Sequence, residues 1–314
     1  MGGNMIEVYQ TDNGVRTKNV EMKEFLVNND CRVVQGDCLR WLDKNAHLFR
    51  VHLTFLDPPF NQGKKYQYFN DNLPSEEYWS WIQQILQKIY DMTVEGGSIY
   101  FMQREKNVEH VLRALRNSGW HFQNLIIWKK TTSAIPTKCF GKSYQIIVFA
   151  TKGKEPRVFN KLRIDYPLMP WQKRPRKNGI YVTDVWDDIR ELTAGYYAGN
   201  EVLRENGERI HLQQSPVALL LRIILASTLP GDLVLDPFAG TGTTLVVANQ
   251  LKRKCIGIEI DPEYVRIIIE RVNCLRPVDN IRKYYSYYRH TPNLEKIWPP
   301  GLFHKTLKTQ INSK

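Results

Sequence analysis

Short apolar runs alternate with longer amphipathic segments along most of this chain. A short apolar run predicts a buried strand, and apolar residues spaced three and four apart predict a helix. In the first half we predict strands at 31–35, 51–56, 98–102, 122–128 and 144–150, and helices at about 38–46, 75–94 and 105–118. Strands that alternate with helices favour an α/β fold with a mostly parallel sheet.

The alternation is interrupted once, in the middle of the chain. When it returns, it predicts a helix ending near 227, strands at 233–235 and 255–260, and helices after 242 and at 262–272. Residues 1–30 show little periodicity and are predicted to form an irregular or loosely packed extension. The predicted organisation is an N-terminal extension at 1–30, α/β halves at 31–150 and 211–275, an insert at 151–210 and a tail at 276–314.

The chain is strongly basic, with 44 Lys and Arg against 32 Asp and Glu and a formal net charge of +12. Such an excess predicts a polyanionic partner, and nucleic acid is the first candidate. Residues 152–177 carry nine basic and two acidic residues, with Tyr166, Trp171 and Tyr181 among or beside them. Basic side chains bind phosphates and aromatic ones stack on bases. Two further basic residues, Lys64 and Lys65, precede the predicted helix 75–94. The predicted DNA contacts are Lys64, Lys65, Lys161, Arg163, Lys173, Arg174, Arg176 and Lys177.

Both basic regions keep an alternative interpretation. The insert is alternatively an ordinary solvated segment. The tail has eight basic residues and four clustered tyrosines, and it is either a DNA-contacting arm or a packing extension.

The cysteine and apolar patterns exclude several classes of protein. The five cysteines include no C-x-x-C pair, so neither a disulfide framework nor a zinc site is predicted, no metal is expected, and a reducing cytosol is favoured. The N-terminus lacks a signal-peptide pattern. The longest apolar stretch, 217–226, is interrupted by Arg222 and is too short to span a bilayer. We expect a soluble cytoplasmic protein without a membrane partner.

Asp57-Pro58-Pro59-Phe60 follows directly after the predicted strand 51–56. A carboxylate at the carboxyl end of such a strand faces the crevice in which open α/β sheets bind ligands. The two prolines fix φ and lack N–H groups, so the turn is stiff and its carbonyls are free to accept from a ligand. A carboxylate, a rigid carbonyl and an aromatic ring together suit a planar ring with an exocyclic amino group. The alternative is a turn that only ends the strand.

A glycine turn after the predicted strand 233–235 indicates a nucleotide-binding site. Gly240 and Gly242 let the backbone approach a ligand closely, and Glu259 at the end of the next strand can hold ribose hydroxyls. No lysine follows the glycines, which argues against a P-loop, and Leu245 stands where a dinucleotide fingerprint has its third glycine. Asp236 beside the turn favours a cofactor with an ammonium or sulfonium group over a pyrophosphate.

Together these motifs resemble those of the β-class S-adenosylmethionine-dependent DNA amino-methyltransferases of restriction-modification systems. Asp236–Thr244 is similar to the F-x-G-x-G cofactor motif, and Asp57–Phe60 is similar to the [DNS]-P-P-[YFW] motif of enzymes that methylate exocyclic amines. The catalytic motif comes first, which is the circularly permuted order of the β class. The resemblance extends from about residue 31 to 272, apart from the insert. It implies a doubly wound, Rossmann-like methyltransferase fold, S-adenosylmethionine as cofactor, double-stranded DNA as partner and a target-recognition region in the insert.

The resemblance also implies roles for individual residues. The implied catalytic residues are Asp57, Pro58, Pro59 and Phe60. The residues that it places around the cofactor are Asp37, Cys38, Ser215, Asp236, Phe238, Gly240, Gly242, Thr243 and Glu259. Ser215 departs from the family because a lysine is common there, and Phe60 replaces the commoner tyrosine. A cognate restriction endonuclease, a homodimer and a prokaryotic or viral host cell are further implications.

The mechanism implied by the resemblance is direct methyl transfer to a base flipped out of the duplex. Asp57 and the Pro58 carbonyl would accept hydrogen bonds from its amino group. Asp at the first motif position favours adenine N6, and cytosine N4 is the alternative. The rivals are a non-catalytic DNA-binding module, an RNA or protein amine methyltransferase, and an NAD oxidoreductase. The intact motifs argue against the first, the basic insert against the second and Leu245 against the third.

Overall fold

The secondary structure is taken from a computed structural model. It describes residues 9–12, 15–18, 20–130, 136–166, 177–192, 200–205, 207–210 and 214–299. The strands are β1 (Tyr9–Asp12), β2 (Val15–Lys18), β3 (Lys23–Asn28), β4 (Cys31–Gln35), β5 (Val51–Leu56), β6 (Thr93–Gln103), β7 (Trp120–Lys129), β8 (Tyr144–Lys152), β9 (Arg163–Ile164), β10 (Ile180–Tyr181), β11 (Val185–Trp186), β12 (Arg204–Glu205), β13 (Glu208–Arg209), β14 (Leu233–Asp236) and β15 (Lys254–Glu259). The helices are α1 (Cys38–Asn45), α2 (Ser75–Met92), α3 (Val108–Asn117), α4 (Val217–Ser227), α5 (Thr243–Gln250), α6 (Pro262–Asn273), α7 (Tyr285–Tyr288) and α8 (Leu294–Ile297).

A nine-stranded sheet, in the order β11-β7-β8-β6-β5-β14-β15-β4-β3, forms the centre of the molecule. The strands β6, β5, β14, β15 and β4 run parallel, whereas β8 and β3 are antiparallel to their neighbours. β14 comes from the second half of the chain but lies between β5 and β15, so the two predicted halves share one sheet. The predicted doubly wound, mostly parallel and permuted fold is confirmed.

Apolar residues cover both faces of this sheet. Val234 packs with α4, α5 and α6 on one face, and the next residue, Leu235, packs with α1, α2 and α3 on the other. Consecutive strand residues point to opposite faces, so a strand with helices on both sides is apolar throughout. No helix among the described residues combines the length and apolarity needed to cross a bilayer.

Two predictions about local structure differ from what the structure shows. The segment 1–30 is not irregular where it is described, because β1 pairs with β2 and β3 forms the antiparallel edge of the main sheet. β3 is largely exposed, which explains its weak periodicity. β6 begins at Thr93 instead of 98 and runs through Gly96 and Gly97. These glycines coincide with a register shift against β5, and a Cβ on Gly96, at φ +71°, would lie 2.6 Å from the Arg157 nitrogen.

The insert and the tail are both packed onto the α/β core. β11 of the insert extends the main sheet by pairing with β7. Asp188 of the insert accepts two hydrogen bonds from the buried guanidinium of Arg222 on α4 and a third from Tyr287 of the tail. Trp298 and Tyr288 are buried. Of the two interpretations of the tail, its described part, 276–299, is a packing extension.

Candidate active site

Acidic residues meet where four parallel strands end. Asp37 follows β4, Asp57 follows β5, Asp236 ends β14 and Glu259 ends β15. Because these strands are adjacent and parallel, their carboxyl ends share one edge of the sheet, which is where open α/β sheets bind ligands.

A cavity of about 480 Å³ opens at this edge. It brings together the predicted catalytic and cofactor residues except Phe60 and Gly242. Those that line it are Asp37, Cys38, Asp57, Pro58, Pro59, Ser215, Asp236, Phe238, Gly240, Thr243 and Glu259. Residues that were not predicted complete the wall, among them Tyr66, Phe69, Trp81 and Tyr264.

The glycine turn between β14 and α5 is only partly a ligand surface. Gly240, at φ +52°, donates its N–H to Glu259 Oε2 at 2.7 Å. Gly242, at φ +79°, is the N-cap of α5, and a Cβ there would lie 2.8 Å from Cγ1 of Ile268 on α6. Close packing against α6 is therefore a second reason for glycine at position 242, and its approach to a ligand stays a prediction.

Backbone N–H groups and a hydroxyl donate to the carboxyl groups of Glu259, Asp236 and Asp57 in the cavity. Glu259 accepts from the N–H groups of Gly240 and Asp261, and burial raises its pKa to about 8. Asp236 accepts from the Phe238 N–H, and burial raises its pKa to about 6. Burial and the charge of Asp236 raise the pKa of Asp57 to about 8. A cationic ligand among these groups would stabilise their charged forms.

These walls fit S-adenosylmethionine. Three carboxyl groups suit its sulfonium and ammonium charges, Glu259 is placed to accept from a ribose diol, and Phe238 offers an aromatic wall beside Trp81. Asp37 N-caps α1 by accepting from Arg40 N at 3.0 Å, so the wall formed by Asp37 and Cys38 is fixed by the helix start. Ser215 Oγ lies 3.5 Å from Asp57 Oδ2 and joins the cofactor wall to the catalytic turn.

Behind Asp57 lies a second, much smaller recess of about 20 Å³. Phe60 lines this recess, but its side chain is only 2% exposed. It belongs to the apolar core on the face of the sheet that α4, α5 and α6 cover. The ring that was predicted to be offered to a base is therefore covered in this structure. Apolar and polar side chains form the other walls of the recess. They are Met102, Trp128, Leu192, Lys130, Gln145, Glu191, Gln214 and Ser215.

Sequence reasoning missed the residues that hold the catalytic turn. The Tyr78 hydroxyl donates to the Pro59 carbonyl at 2.7 Å and accepts from Gln103 Nε2 at 3.0 Å. Both side chains are buried. This chain of hydrogen bonds fixes the position of the Pro59 carbonyl and, with it, the end of the catalytic turn. No sequence signal distinguishes Tyr78 from an ordinary apolar residue of α2.

The polar wall of the recess was also missed. Lys130 Nζ donates to Gln145 Oε1 at 2.5 Å and lies 3.1 Å from Glu191 Oε2. Glu191 comes from the insert, so the insert contributes directly to the recess beside Asp57. Lys130 directly follows the end of β7, a position that could have indicated it, whereas Glu191 carries no such signal.

The predicted DNA contacts have different environments. Lys65, Lys161 and Lys177 are exposed. Lys64 is half-buried and interacts with Asp57, and burial lowers its pKa to about 8. It therefore belongs to the catalytic region more than to the DNA surface.

Arg163 is also less available than predicted. It donates to the Asn178 carbonyl at 2.7 Å and to the Gly179 carbonyl at 3.2 Å, and it lies over the Tyr181 ring. It therefore holds the insert together. Three predicted contacts lie outside the described residues, namely Lys173, Arg174 and Arg176.

Comparisons with known proteins agree with this site. Residues 51–270 match the sequence model of the N6/N4 family described as DNA methylase. The chain is 32% identical over 257 residues to the DNA adenine methyltransferase YhdJ of Escherichia coli K12, covering 77% of this chain and 82% of that one. It is 30% identical over 245 residues to the type II methyltransferase M.HpaI of Haemophilus parainfluenzae, covering 78% and 74%.

Solved structures show the same fold. The complex of M1.HpyAVI with S-adenosylmethionine aligns with a TM-score of 0.54 at 20% identity and covers 77% of this chain and 99% of that one. The cytosine-N4-specific PvuII DNA methyltransferase aligns with a TM-score of 0.58 at 20% identity and covers 83% and 92%. The predicted enzyme class and cofactor are confirmed: the chain belongs to the DNA methylase family of S-adenosylmethionine-dependent N6/N4 methyltransferases.

Proposed function

We propose that this protein is a site-specific DNA methyltransferase that modifies the exocyclic N6 of adenine in duplex DNA. One observation carries the proposal: Asp57 lines both the cofactor cavity and the recess behind it. A group that faces both spaces can hold an amino group of a base where it meets the methyl donor.

The catalytic turn supplies two hydrogen-bond acceptors and holds them in fixed positions. When bound, S-adenosylmethionine supplies a methyl group activated by its positively charged sulfur. Asp57 and the Pro58 carbonyl accept from the two amino hydrogens, which favours a pyramidal nitrogen with its lone pair free to react. Tyr78 keeps the turn in place through the Pro59 carbonyl. Positioning of this kind supplies much of the acceleration in group transfer.

The amino nitrogen gains a methyl group and loses a proton in this reaction. Asp57, with a pKa raised to about 8, is the acceptor for that proton, since a base of matched pKa works best near the operating pH. Lys64 and Lys130 lower the Asp57 pKa and so favour its ionised form.

The target base must leave the duplex to reach this turn. Unpairing and unstacking it costs about a few kcal/mol. A recess of about 20 Å³ is too small for a base, so it must widen when DNA binds. Phe60 and Trp128 would then stack on the base, and Gln145, Lys130 and Glu191 would meet its polar edge.

Adenine is favoured over cytosine by two observations. The family motif with Asp at its first position leans to adenine, and the relative YhdJ is named an adenine methyltransferase. Cytosine N4 is the second candidate, because the PvuII enzyme with the same fold is cytosine-N4-specific.

The test is transfer of labelled methyl groups from S-adenosylmethionine to plasmid DNA, followed by analysis of the nucleosides. We expect label in N6-methyladenine, at one short recognition sequence that methylation-sensitive sequencing would identify. Label in N4-methylcytosine would replace adenine by the second candidate. Preference for RNA in a mixture of RNA and DNA, or no transfer at all, would overturn the proposal.

The biological setting belongs to the same proposal. M.HpaI and M.HinfI are named type II methyltransferases, which supports a role in the cytoplasm of a prokaryotic or virus-infected cell beside a cognate endonuclease. Loss of viability on expressing a neighbouring endonuclease gene without this protein would support that pairing, and survival would contradict it. A homodimer stays a prediction, which sedimentation analysis would test.

A further inference from the structure

The connection between β7 and β8 carries an aromatic side chain that is almost fully exposed to solvent. Phe140 is 98% exposed, whereas the next most exposed large apolar side chain among the described residues, Leu26, is 68% exposed. Phenylalanine is among the residues most often buried. Its neighbours Lys138 and Cys139 are exposed too, so the ring is presented to solvent on a basic loop.

This loop starts and ends at the recess behind Asp57. The Lys130 N–H donates to the Ser143 carbonyl at 2.6 Å and closes the base of the loop. The side chains of Lys130 and Gln145, on either side of that closure, line the recess with Asp57. Phe140 is therefore carried by a loop rooted at the rim of the space that a flipped base would enter.

The loop is also attached to the neighbouring strand connection. Lys142 Nζ lies 2.7 Å from Glu105 Oε1, in the segment that follows β6. This ion pair lies two residues beyond Phe140 and holds that side of the loop. The aromatic ring is thus exposed next to two anchored residues, Lys142 and Ser143.

We propose that Phe140 inserts into duplex DNA at the target base pair and fills the space that the flipped base leaves. The inference rests on the proposed function, because it requires a base to leave the duplex. Apolar side chains that wedge between bases occur in DNA-binding proteins, and stacking on a ring replaces part of the base stacking lost. Phe140 is a positioning residue: it stabilises the extruded state without touching the reacting atoms.

The experiment compares Phe140→Ala with Phe122→Ala on two duplexes. Phe122 is a matched control, since it is a half-exposed phenylalanine on β7 at the end of that strand opposite to the loop. One duplex has a normal target base pair, and the other has an abasic site opposite the target base, which lowers the cost of extrusion. The readouts are kcat/KM for methyl transfer and the Kd for S-adenosylmethionine.

On the paired duplex we expect Phe140→Ala to lower kcat/KM by about ten- to a hundredfold. On the duplex with the abasic site its activity should return close to wild type, Phe140→Trp should be active on both, and cofactor binding should not change. Phe122→Ala should behave as wild type throughout.

Two outcomes overturn the inference. Unchanged kcat/KM of Phe140→Ala on the paired duplex would show that no wedge is needed, and an equal loss on both duplexes would show a role unrelated to extrusion. If the wild-type protein itself transfers no methyl group to either duplex, the proposed function fails instead, so the two failures are distinguishable.

Discussion

The cofactor cavity and the recess behind Asp57 meet at that residue, but they differ in how much open space they contain. The first has about 480 Å³ of open space, and the second has about 20 Å³. The carboxyl groups of the cavity come from strand ends and the turns after them, which the sheet fixes, and Trp81, residues 65–69 and residues 208–210 at the end of the insert complete its walls. The recess takes Glu191 and Leu192 from the insert. The difference indicates that the cofactor site is complete before DNA binds, whereas the base site is completed by it.

The largest effect should come from the residue shared by both spaces. We expect Asp57→Ala to lower the methyl transfer rate by about 10²- to 10⁴-fold, the range typical for loss of a general base. The Kd for S-adenosylmethionine should change little, because the cavity retains Asp236 and Glu259. Rapid-quench transfer and equilibrium dialysis measure the two quantities. Asp43→Ala, an exposed acid on α1, is the control, and near-normal turnover of Asp57→Ala would contradict the account.

A pH profile should show the same residue titrating. The pKa of Asp57 is raised to about 8, and only the ionised carboxylate accepts both hydrogen bonds and a proton. We therefore expect kcat/KM to rise about tenfold per pH unit below this pKa and to level above it.

The free energy of unfolding should depend on pH in the opposite direction to kcat/KM. The folded protein keeps this proton up to about pH 8, whereas the unfolded chain loses it near pH 3.8. The Asp57 contribution to the free energy of unfolding therefore falls as pH rises between these values.

Lys64 offers a way to sharpen the pH experiment. Its charge lowers the Asp57 pKa, so Lys64→Met should move the inflection to higher pH. Lys44→Met removes an exposed charge on α1, outside the cavity lining, and should leave the inflection in place. A flat profile between pH 6 and 9, or equal shifts in both variants, would contradict the assignment of the inflection to Asp57.

A change in the glycine turn should weaken both the stability of the protein and the binding of the cofactor. In Gly242→Ala the new Cβ would lie 2.8 Å from Ile268 at φ +79°, which costs about 1–3 kcal/mol for the backbone strain and more for the contact. Gly231→Ala has a similar φ of +87° with nothing within 4 Å, so it isolates the strain. Denaturant unfolding and cofactor Kd should both worsen more for Gly242→Ala. Equal effects would show that the Ile268 contact is unimportant.

The smallest effect should come from the support of the catalytic turn. Tyr78→Phe removes the hydrogen bond to the Pro59 carbonyl, and a loss of about 0.5–1.5 kcal/mol corresponds to a fall in kcat of up to about tenfold. Tyr100→Phe removes another buried hydroxyl, bonded to Ser227 at 2.8 Å, at a similar cost in stability. Only Tyr78→Phe should lower kcat. If both variants lower it equally, the turn is not what Tyr78 supports.

The cofactor half of the site could be predicted from the sequence because local motifs encode it. β4 and β5 have the predicted bounds, and acids after strand ends can lie only at one edge of a parallel sheet. The packing of Gly242 could not be predicted, since its partner, Ile268, belongs to a helix later in the chain.

The recess could not be predicted in the same way. Lys130, Gln145 and Glu191 come from separate segments, and only the pairing of β7 with β8 and β11 brings them together. Phe60 was expected to face a ligand, yet the core covers its ring. A sequence motif shows which residue types are present but does not show which neighbours cover them.

The central claim is that the cofactor site is complete without DNA and is built for a cation. Calorimetric titration of the DNA-free protein with S-adenosylmethionine, at pH 7 in buffers of different ionisation enthalpy, tests it most directly. The pKa of Glu259 is raised to about 8, and a cation lowers such a value. We predict one bound molecule per chain with net release of protons. Binding only when DNA is present, or binding without proton release, would contradict the account.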